Sequence, residues 1–330
     1  MATIGDVAAA AGVSRSTASY ALSGKRSISE GARRRVLEAA EALGYTPNAG
    51  ARALATSQTM VLGLLARFHA DEFAPAMTQY ILGVTDTARD LGYDTLLVTE
   101  PDGAGALRRI TDSRMVDGVV LLNVAHDDPR LPVLRAAPQP GALVGLPGDC
   151  SGVDVFDLDF EQAGRVMVDR LHGLGHRELI LVSQPEHVVE RGGAYVWRLR
   201  DAALERARRL GVRLHAVYGE SRRPAAERML GALLDARPGA TGLLLDNEAA
   251  AAALPSVTRA RGLEGLSVVG RYSAEFAETF ALPYAYVELA PDRLGEMAVR
   301  QLVRRIESAQ ARAEPFVVRL VPAELTSPPS

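Results

Sequence analysis

An all-α helix-turn-helix head with a hinge helix, carried on an α/β body, is the architecture this sequence predicts, and three observations predict it. The first 45 residues divide into three short amphipathic segments, each opened by a capping side chain. From residue 60 onward, short apolar runs alternate with longer amphipathic segments, the βαβ pattern of parallel sheets. Charge divides at the same place: residues 1–60 hold seven basic and four acidic side chains, +3, which leaves −6 on the remaining 270 of a chain whose net charge is −3. A basic head on an acidic body fits a small nucleic-acid-binding module attached to a part with another task.

Composition narrows the classes further. With 48% hydrophobic and 23% charged residues, the 330-residue chain is an ordinary globular sequence with length for two or three domains. Its longest apolar runs, 116–123 and 241–245, fall far short of the ~20 residues of a membrane span. The first residues lack a basic stretch followed by an apolar one, so the expectation is a cytoplasmic protein without a membrane partner. The single cysteine, Cys150, removes intrachain disulfides and thiolate metal sites. Lys25 is the only lysine among many arginines, a bias of composition and not of function.

In the head, Thr3 caps a first helix with Asp6 three residues on, and Ile4, Val7, Ala8 and Ala11 form its apolar stripe, ending at Gly12. Ser14 caps a second helix through Leu22, with Ala18, Ala21 and Leu22 facing inward. Two short helices joined by a glycine-containing turn make a helix-turn-helix. Ser29 caps a third helix, 30–43, whose Ala32, Val36, Leu37, Ala40 and Leu43 complete a minimal core. In such a module the start of the second helix approaches base edges, which here means Ser14, Arg15, Ser16, Ser19 and Tyr20. Arg15 can offer two donors to guanine O6 and N7, while the serines are short and Tyr20 brings a hydroxyl and a ring.

The next segment, 45–56, opens on a proline stop and gives Asn48 as cap to a short helix of small residues with Ala51, Arg52 and a single Leu54. Eight such residues do not hold a helix alone in water. Small faces allow close approach to a minor groove, and an apolar side chain can wedge between base steps there.

These residues carry a resemblance. Residues 2–8, Ala11-Gly12-Val13-Ser14, Ser29-Glu30, Leu43-Gly44-Tyr45, Pro47-Asn48-Ala49 and Arg52-Ala53-Leu54 resemble the lactose-repressor (LacI) family of bacterial transcription regulators, in that family's order and spacing. The resemblance implies that Arg15 and Ser16 occupy the two main base-reading positions and that Leu54 is the hinge leucine that intercalates at the operator centre. One departure stands out: the family usually has Arg where this chain has Tyr20, which implies a different base pair in the operator.

The body, from residue 60, reads as strands at 61–66, 95–99, 118–122, 142–146, 179–183, 213–218, 242–246 and 267–270. Helices are expected at 76–91, 104–114, 160–174, 195–210, 224–236, 248–260 and 292–310. The chain lacks a G-x-G-x-x-G after a strand, a Walker loop, a G-x-S-x-G elbow and an H-E-x-x-H. His172 and His176 are four apart, but the glycines around them mark a helix end, so they read as capping residues and not as metal ligands. No catalytic set, metal or cofactor is expected.

In the body the resemblance continues at 83–93, 116–120, 174–177, 246–248 and 266–270, and it implies a two-lobed domain similar to periplasmic sugar-binding proteins. It implies domains of 1–46 for the DNA-binding head, 47–59 for the hinge and 60–330 for effector binding and dimerisation. One lobe would be 60–159 with 289–319, the other 160–288 with 320–330. For the pocket, Asn247 matches the family's strand-end Asn, whose amide both donates to and accepts from a sugar hydroxyl. Asp71 and Pro75 fit the first-strand loop, Ala76 and Met77 replace the usual aromatics, and Phe73 can supply the ring instead. Gly270-Arg271-Tyr272-Ser273 stands where the family often has Gly-aromatic-Asp-Asp, so the acidic clamp is missing there and Tyr272 takes its place. Arg191 and Arg198 are both candidates for the family's arginine, with Trp197 beside them. Arg191, Arg198, Arg271, Trp197 and Tyr272 could hold a sugar or an anion such as a sugar phosphate, since guanidinium forks hold phosphate bidentately; equally they could be surface arginines and a core tryptophan. The implied function is a homodimeric repressor of pseudo-palindromic double-stranded DNA under control of a small molecule, a sugar or sugar phosphate. The alternative is a small-molecule binding protein or enzyme sharing the α/β body. The tail has no heptad run, so a dimer is expected.

Overall fold

In the computed structural model, residues 2–23, 28–45, 58–68, 75–263 and 265–327 are described, and the chain divides into two compact units, Met1–Thr59 and Met60–Ser330. The first unit contains α1 (Ile4–Ala10), α2 (Arg15–Ser23) and α3 (Glu30–Ala42). Thr3 and Asp6 cap α1 reciprocally: the Asp6 N–H donates to Thr3 Oγ1 at 3.3 Å, and the Thr3 N–H donates to Asp6 Oδ2 at 2.8 Å. The Thr17 N–H donates to Ser14 Oγ at 3.1 Å, and the Ala32 N–H to Ser29 Oγ at 3.4 Å. The core is small and made of small side chains, Val7, Ala8, Ala18, Ala21, Val36 and Ala40. The helices therefore approach closely. A Cβ on Gly5 would lie 2.8 Å from Arg15 Nη2, so glycine there is what lets the Arg15 side chain lie along α1.

The second unit holds two six-stranded sheets, with orders β11-β5-β4-β3-β1-β2 and β12-β10-β9-β8-β6-β7. The first comprises β1 (Val61–Leu65), β2 (Asp94–Val98), β3 (Gly118–Leu121), β4 (Gly141–Val144), β5 (Asp154–Leu158) and β11 (Val318–Val321). The second comprises β6 (Glu178–Ser183), β7 (Arg213–Tyr218), β8 (Gly242–Leu245), β9 (Ser267–Tyr272), β10 (Ala285–Glu288) and β12 (Leu325–Thr326). All pairings are parallel except β10 with β12. The chain thus passes between sheets three times: after β5, after β10 and after β11.

Helices cover both faces of each sheet, which is why most strands read as continuous apolar runs. The first lobe takes α4 (Pro75–Asp90), α5 (Gly103–Asp112), α6 (Arg130–Ala136) and α13 (Pro291–Glu307), with the short α14 (Ala309–Ala313) after it. The second takes α7 (Phe160–Gly173), α8 (Glu186–Glu190), α9 (Ala194–Arg209), α10 (Arg223–Ala236), α11 (Glu248–Arg261) and α12 (Ala274–Thr279). Leu294, Ala298, Leu302 and Ile306 recur every four residues along α13 and bury one stripe in the first-lobe core. Arg305, from the same helix, is 1% exposed and donates through Nη2 to Asp154 Oδ1 at 2.8 Å, which ties α13 to β5.

All eight expected strands are present within a few residues. The expected helix at 292–310 is broken at Ser308, whose hydroxyl accepts from the Ala311 N–H and starts α14. Strands β5, β10, β11 and β12 and helices α6, α8 and α12 were not expected. The last crossing follows Val321, two residues beyond the end of the expected first-lobe segment at 319.

Candidate functional site

Two sites emerge, one in each unit. Ser14, just before α2, and Arg15, Ser16 and Ser19 on it are exposed, and Tyr20 is half-buried. Ser14 Oγ lies 2.8 Å from both Ser16 Oγ and Thr17 Oγ1. Of the backbone amides at the helix start, that of Thr17 is taken by Ser14 Oγ. No acidic side chain lies in the first turn of α2 to repel a phosphate. Asp6 nearby has its pKa lowered, first by the Thr3 backbone and side-chain hydrogen bonds and less by Arg15. The hinge candidates Asn48, Ala51, Arg52 and Leu54 lie outside the described residues.

In the body, a cleft opens between the lobes at the carboxyl ends of the parallel strands, where ligands bind in open α/β sheets. The space between its walls, open mouth included, is about 1270 Å³. Lobe one supplies Arg67 after β1, Tyr80 from α4, Asn123 after β3 and Asp157 at the end of β5. Lobe two supplies Phe160, Tyr195, Arg198, Asn247, Glu248 and Arg271.

The charged groups are paired, Arg198 with Asp157 across the two lobes and Arg271 with Asp246 within the second lobe. Arg198 Nη2 donates to Asp157 Oδ2 at 2.7 Å, and Arg271 Nε donates to Asp246 Oδ1. Phe160 lies between the two arginines, its ring centroid 5.4 Å from the Arg198 guanidinium and 5.5 Å from that of Arg271. Burial pushes the Asp157 and Asp246 carboxyls above their ordinary range, against the pull of their arginines. Glu248 is pushed up to about 7, chiefly by burial and only partly offset by Arg271. Several buried polar atoms here have no hydrogen-bond partner: Asn123 Oδ1, Arg198 Nε, Asp246 Oδ2 and Glu248 Oε1. Buried polar groups in this state favour occupation by a hydrogen-bonding ligand or water.

Asn247 lines the cleft, but its amide has prior duties. Its Oδ1 accepts from the Ala250 N–H at 2.7 Å as the cap of α11, and its Nδ2 donates to the Glu220 carbonyl at 3.2 Å. One N–H and one lone pair remain. Arg191 lies on the exposed rim of the cleft and Arg198 deep in it. Asp71 and Phe73 lie outside the described residues.

Two expected residues are elsewhere. Tyr272 is fully buried in the core of the second lobe, its ring stacked on Tyr286 at 5.0 Å and tilted on Phe276 at 5.4 Å. Strand alternation explains it: Arg271 faces the cleft, so its neighbour faces away. Trp197 does not line the cleft either; consecutive residues of α9 point about 100° apart, so Arg198 reaches the cleft while Trp197 packs against His126. Carboxylates are supplied near the cleft by other elements: Asp157 and Glu248 line it, and Asp246 pairs with Arg271. Tyr80, Phe160, Asp157 and Glu248 were not singled out in the sequence; a carboxylate inside an apolar strand, as in Val155-Phe156-Asp157-Leu158, is the signal that marks Asp157. Among the described residues, no group of three or more His, Cys, Asp or Glu side chains could hold a metal ion. No helix among them is long and apolar enough to cross a membrane.

Comparison with known proteins agrees in both units. Residues 3–48 match the family model for bacterial regulatory proteins of the lacI family, and residues 168–326 match the periplasmic binding protein-like domain. The HTH-type transcriptional regulator CelR of Thermobifida fusca is 30% identical over 318 residues, covering 92% of each chain. A solved complex of transcriptional regulator CelR with cellobiose superposes with a TM-score of 0.67 at 25% identity, covering 99% of this chain and 98% of that one. The lac repressor dimer bound to operator and the anti-inducer ONPF superposes with a TM-score of 0.79 at 21% identity, over 99% of this chain and 98% of the other.

Proposed function

Because this chain belongs to the lacI family of bacterial regulatory proteins, and is a DNA-binding transcription regulator, we propose that it is a homodimeric repressor whose operator affinity is set by a sugar bound between its lobes. The observation that carries the reading is the cleft itself: buried, paired charges and unpartnered polar atoms beside aromatic rings, on both sides of a two-lobed frame. That is a surface for hydroxyl groups and sugar-ring faces. We read it as a binding site and not a catalytic one. The relative named for its cellobiose complex supports the same ligand class.

In this reading Arg15, Ser16, Ser19 and Tyr20 meet base edges, Ser14 meets the phosphate backbone, and the hinge residues Asn48, Ala51, Arg52 and Leu54 enter the minor groove at the operator centre. Two heads on a two-fold axis read a pseudo-palindrome. Within the cleft, Arg191, Arg198 and Asn247 contact the effector together with Glu248 and Arg271. Binding shifts the balance between two lobe arrangements, which requires that the ligand prefer one of them.

The test is operator release. Full-length protein on a selected duplex is titrated with cellobiose and other neutral di- and monosaccharides in a mobility-shift assay. Release, or tightening, by one of them at a concentration that also raises the melting temperature supports the reading. A duplex indifferent to every sugar, with no thermal shift, contradicts it.

A further inference from the structure

The cleft core carries three carboxyls and two guanidinium groups, and their arrangement bears on which ligands can enter. Arg271, at the end of β9, is 4% exposed and paired with the fully buried Asp246. Its guanidinium packs against two neighbouring rings, 5.5 Å from the Phe160 centroid and 5.8 Å from that of Tyr195. Arg198, beyond Phe160, is paired with Asp157. Each arginine therefore arrives with its own buried counter-ion, and a phosphate would have to displace a carboxylate already in place.

Glu248 adds a third carboxyl. It is the first residue of α11, 6% exposed, and lines the same wall. Its Oε1 and Asp246 Oδ2 are buried without a hydrogen-bond partner. On the cleft wall the unpartnered Glu248 oxygen calls for a ligand that donates hydrogen bonds, and with the fully buried Asp246 carboxyl beside Arg271 it repels one that brings negative charge. The remaining cations do not reverse this. Arg67 approaches Asp128 at 3.9 Å, and Arg191 stands on the exposed rim, where solvent and salt screen it.

We propose that Asp246 and Glu248 are the charge selectors of the cleft, neutralising Arg271 so that the site takes an uncharged polyhydroxyl ligand and excludes phosphorylated or carboxylated ones. The proposal rests on the reading that this cleft is the effector site.

Sulfate tests it, because it is a phosphate-like anion whose charge does not change in the neutral range. Full-length protein is titrated calorimetrically with sodium sulfate at constant ionic strength and about pH 8.5, above the pKa of about 7 at which Glu248 ionises. The wild type should give no saturable binding. Glu248→Gln and Asp246→Asn should each acquire it, with an apparent affinity gain on the order of tenfold for one unit charge removed from a partly screened site. Adding Arg271→Gln to either variant should abolish the gain, which locates it in the cleft. Asp246→Asn breaks a buried ion pair and can unfold the lobe; Glu248→Gln is isosteric, makes no hydrogen bond to Arg271 and decides the matter alone. Saturable sulfate binding by the wild type, or a Glu248→Gln protein as indifferent as the wild type, overturns the proposal. Neither readout involves sugar or DNA. A wild type that ignores every sugar would remove the effector reading and leave the sulfate result standing.

Discussion

The imidazole of His126 meets the indole of Trp197 edge to face, ring centroids 5.9 Å apart and planes at 62°, so that a loop of one lobe touches a helix of the other at the mouth of the cleft. The same loop is tied by its backbone, the His126 N–H donating to the Gly192 carbonyl at 3.0 Å. Gly192 has φ +85°, and a Cβ there would stand 3.2 Å from Ala125 Cβ, so the close approach requires glycine. Behind the loop, the fully buried Arg130 donates to the Leu122 and Asn123 carbonyls at 2.9 and 3.1 Å and to Asp128, which holds the Ala125 N–H. A rigid wall on one side thus meets a glycine turn on the other.

Trp197 is the only tryptophan of the chain, so its emission reports this contact directly. Gly192→Val forces an unfavourable backbone and a clash at Ala125 without touching either ring. Its emission is expected to shift to the red, with stronger quenching by iodide than in the wild type. Identical spectra and quenching would mean that the lobes do not depend on this contact.

Glu248 makes stability depend on pH with a defined sign. Its folded pKa, about 7, lies above the ordinary 4.5, so between these values the folded state holds the proton that the unfolded state has lost. Stability from this group is full below the lower value and falls as pH rises through the upper one, by about 3 kcal/mol in all. Urea melts across this window should show a shallower decline for Glu248→Gln than for wild type. Parallel declines would place the shift elsewhere.

Asp154 and Arg305 are a buried pair remote from the cleft. Removing one partner leaves the other charged and unpaired, a cost of about 3–5 kcal/mol. Asp154→Ala should lower the urea midpoint of the body accordingly. A change under about 1 kcal/mol, the range of an exposed pair, would contradict the burial argument.

Arg15→Ala should weaken specific DNA binding by ~1–3 kcal/mol and relax preference at one base pair of each half-site. Uniform weakening across all sequences would reassign Arg15 to the phosphate backbone.

The sequence announced the fold where the physics is local. Capping serines and threonines marked all three head helices, and strands buried on both faces showed as apolar runs. Strand β5 escaped because two of its five residues, Asp154 and Asp157, are carboxylates whose partners, Arg305 and Arg198, are distant in sequence. The cleft was legible only in part for the same reason. Arg198 and Asn247 were found, but whether Arg271 or Tyr272 faces the ligand depends on strand register, and Tyr80, Asp157 and Glu248 come together only when two sheets are stacked end to end.

The most direct test of the central claim is selection of bound duplexes from a random DNA pool by the full-length protein, at a stated salt concentration because phosphate contacts make affinity salt-dependent. Paired heads predict an enriched pseudo-palindrome, with Arg15→Ala relaxing the same base pair in both halves. No enrichment, or a single unpaired half-site, would contradict a dimeric, sequence-reading regulator.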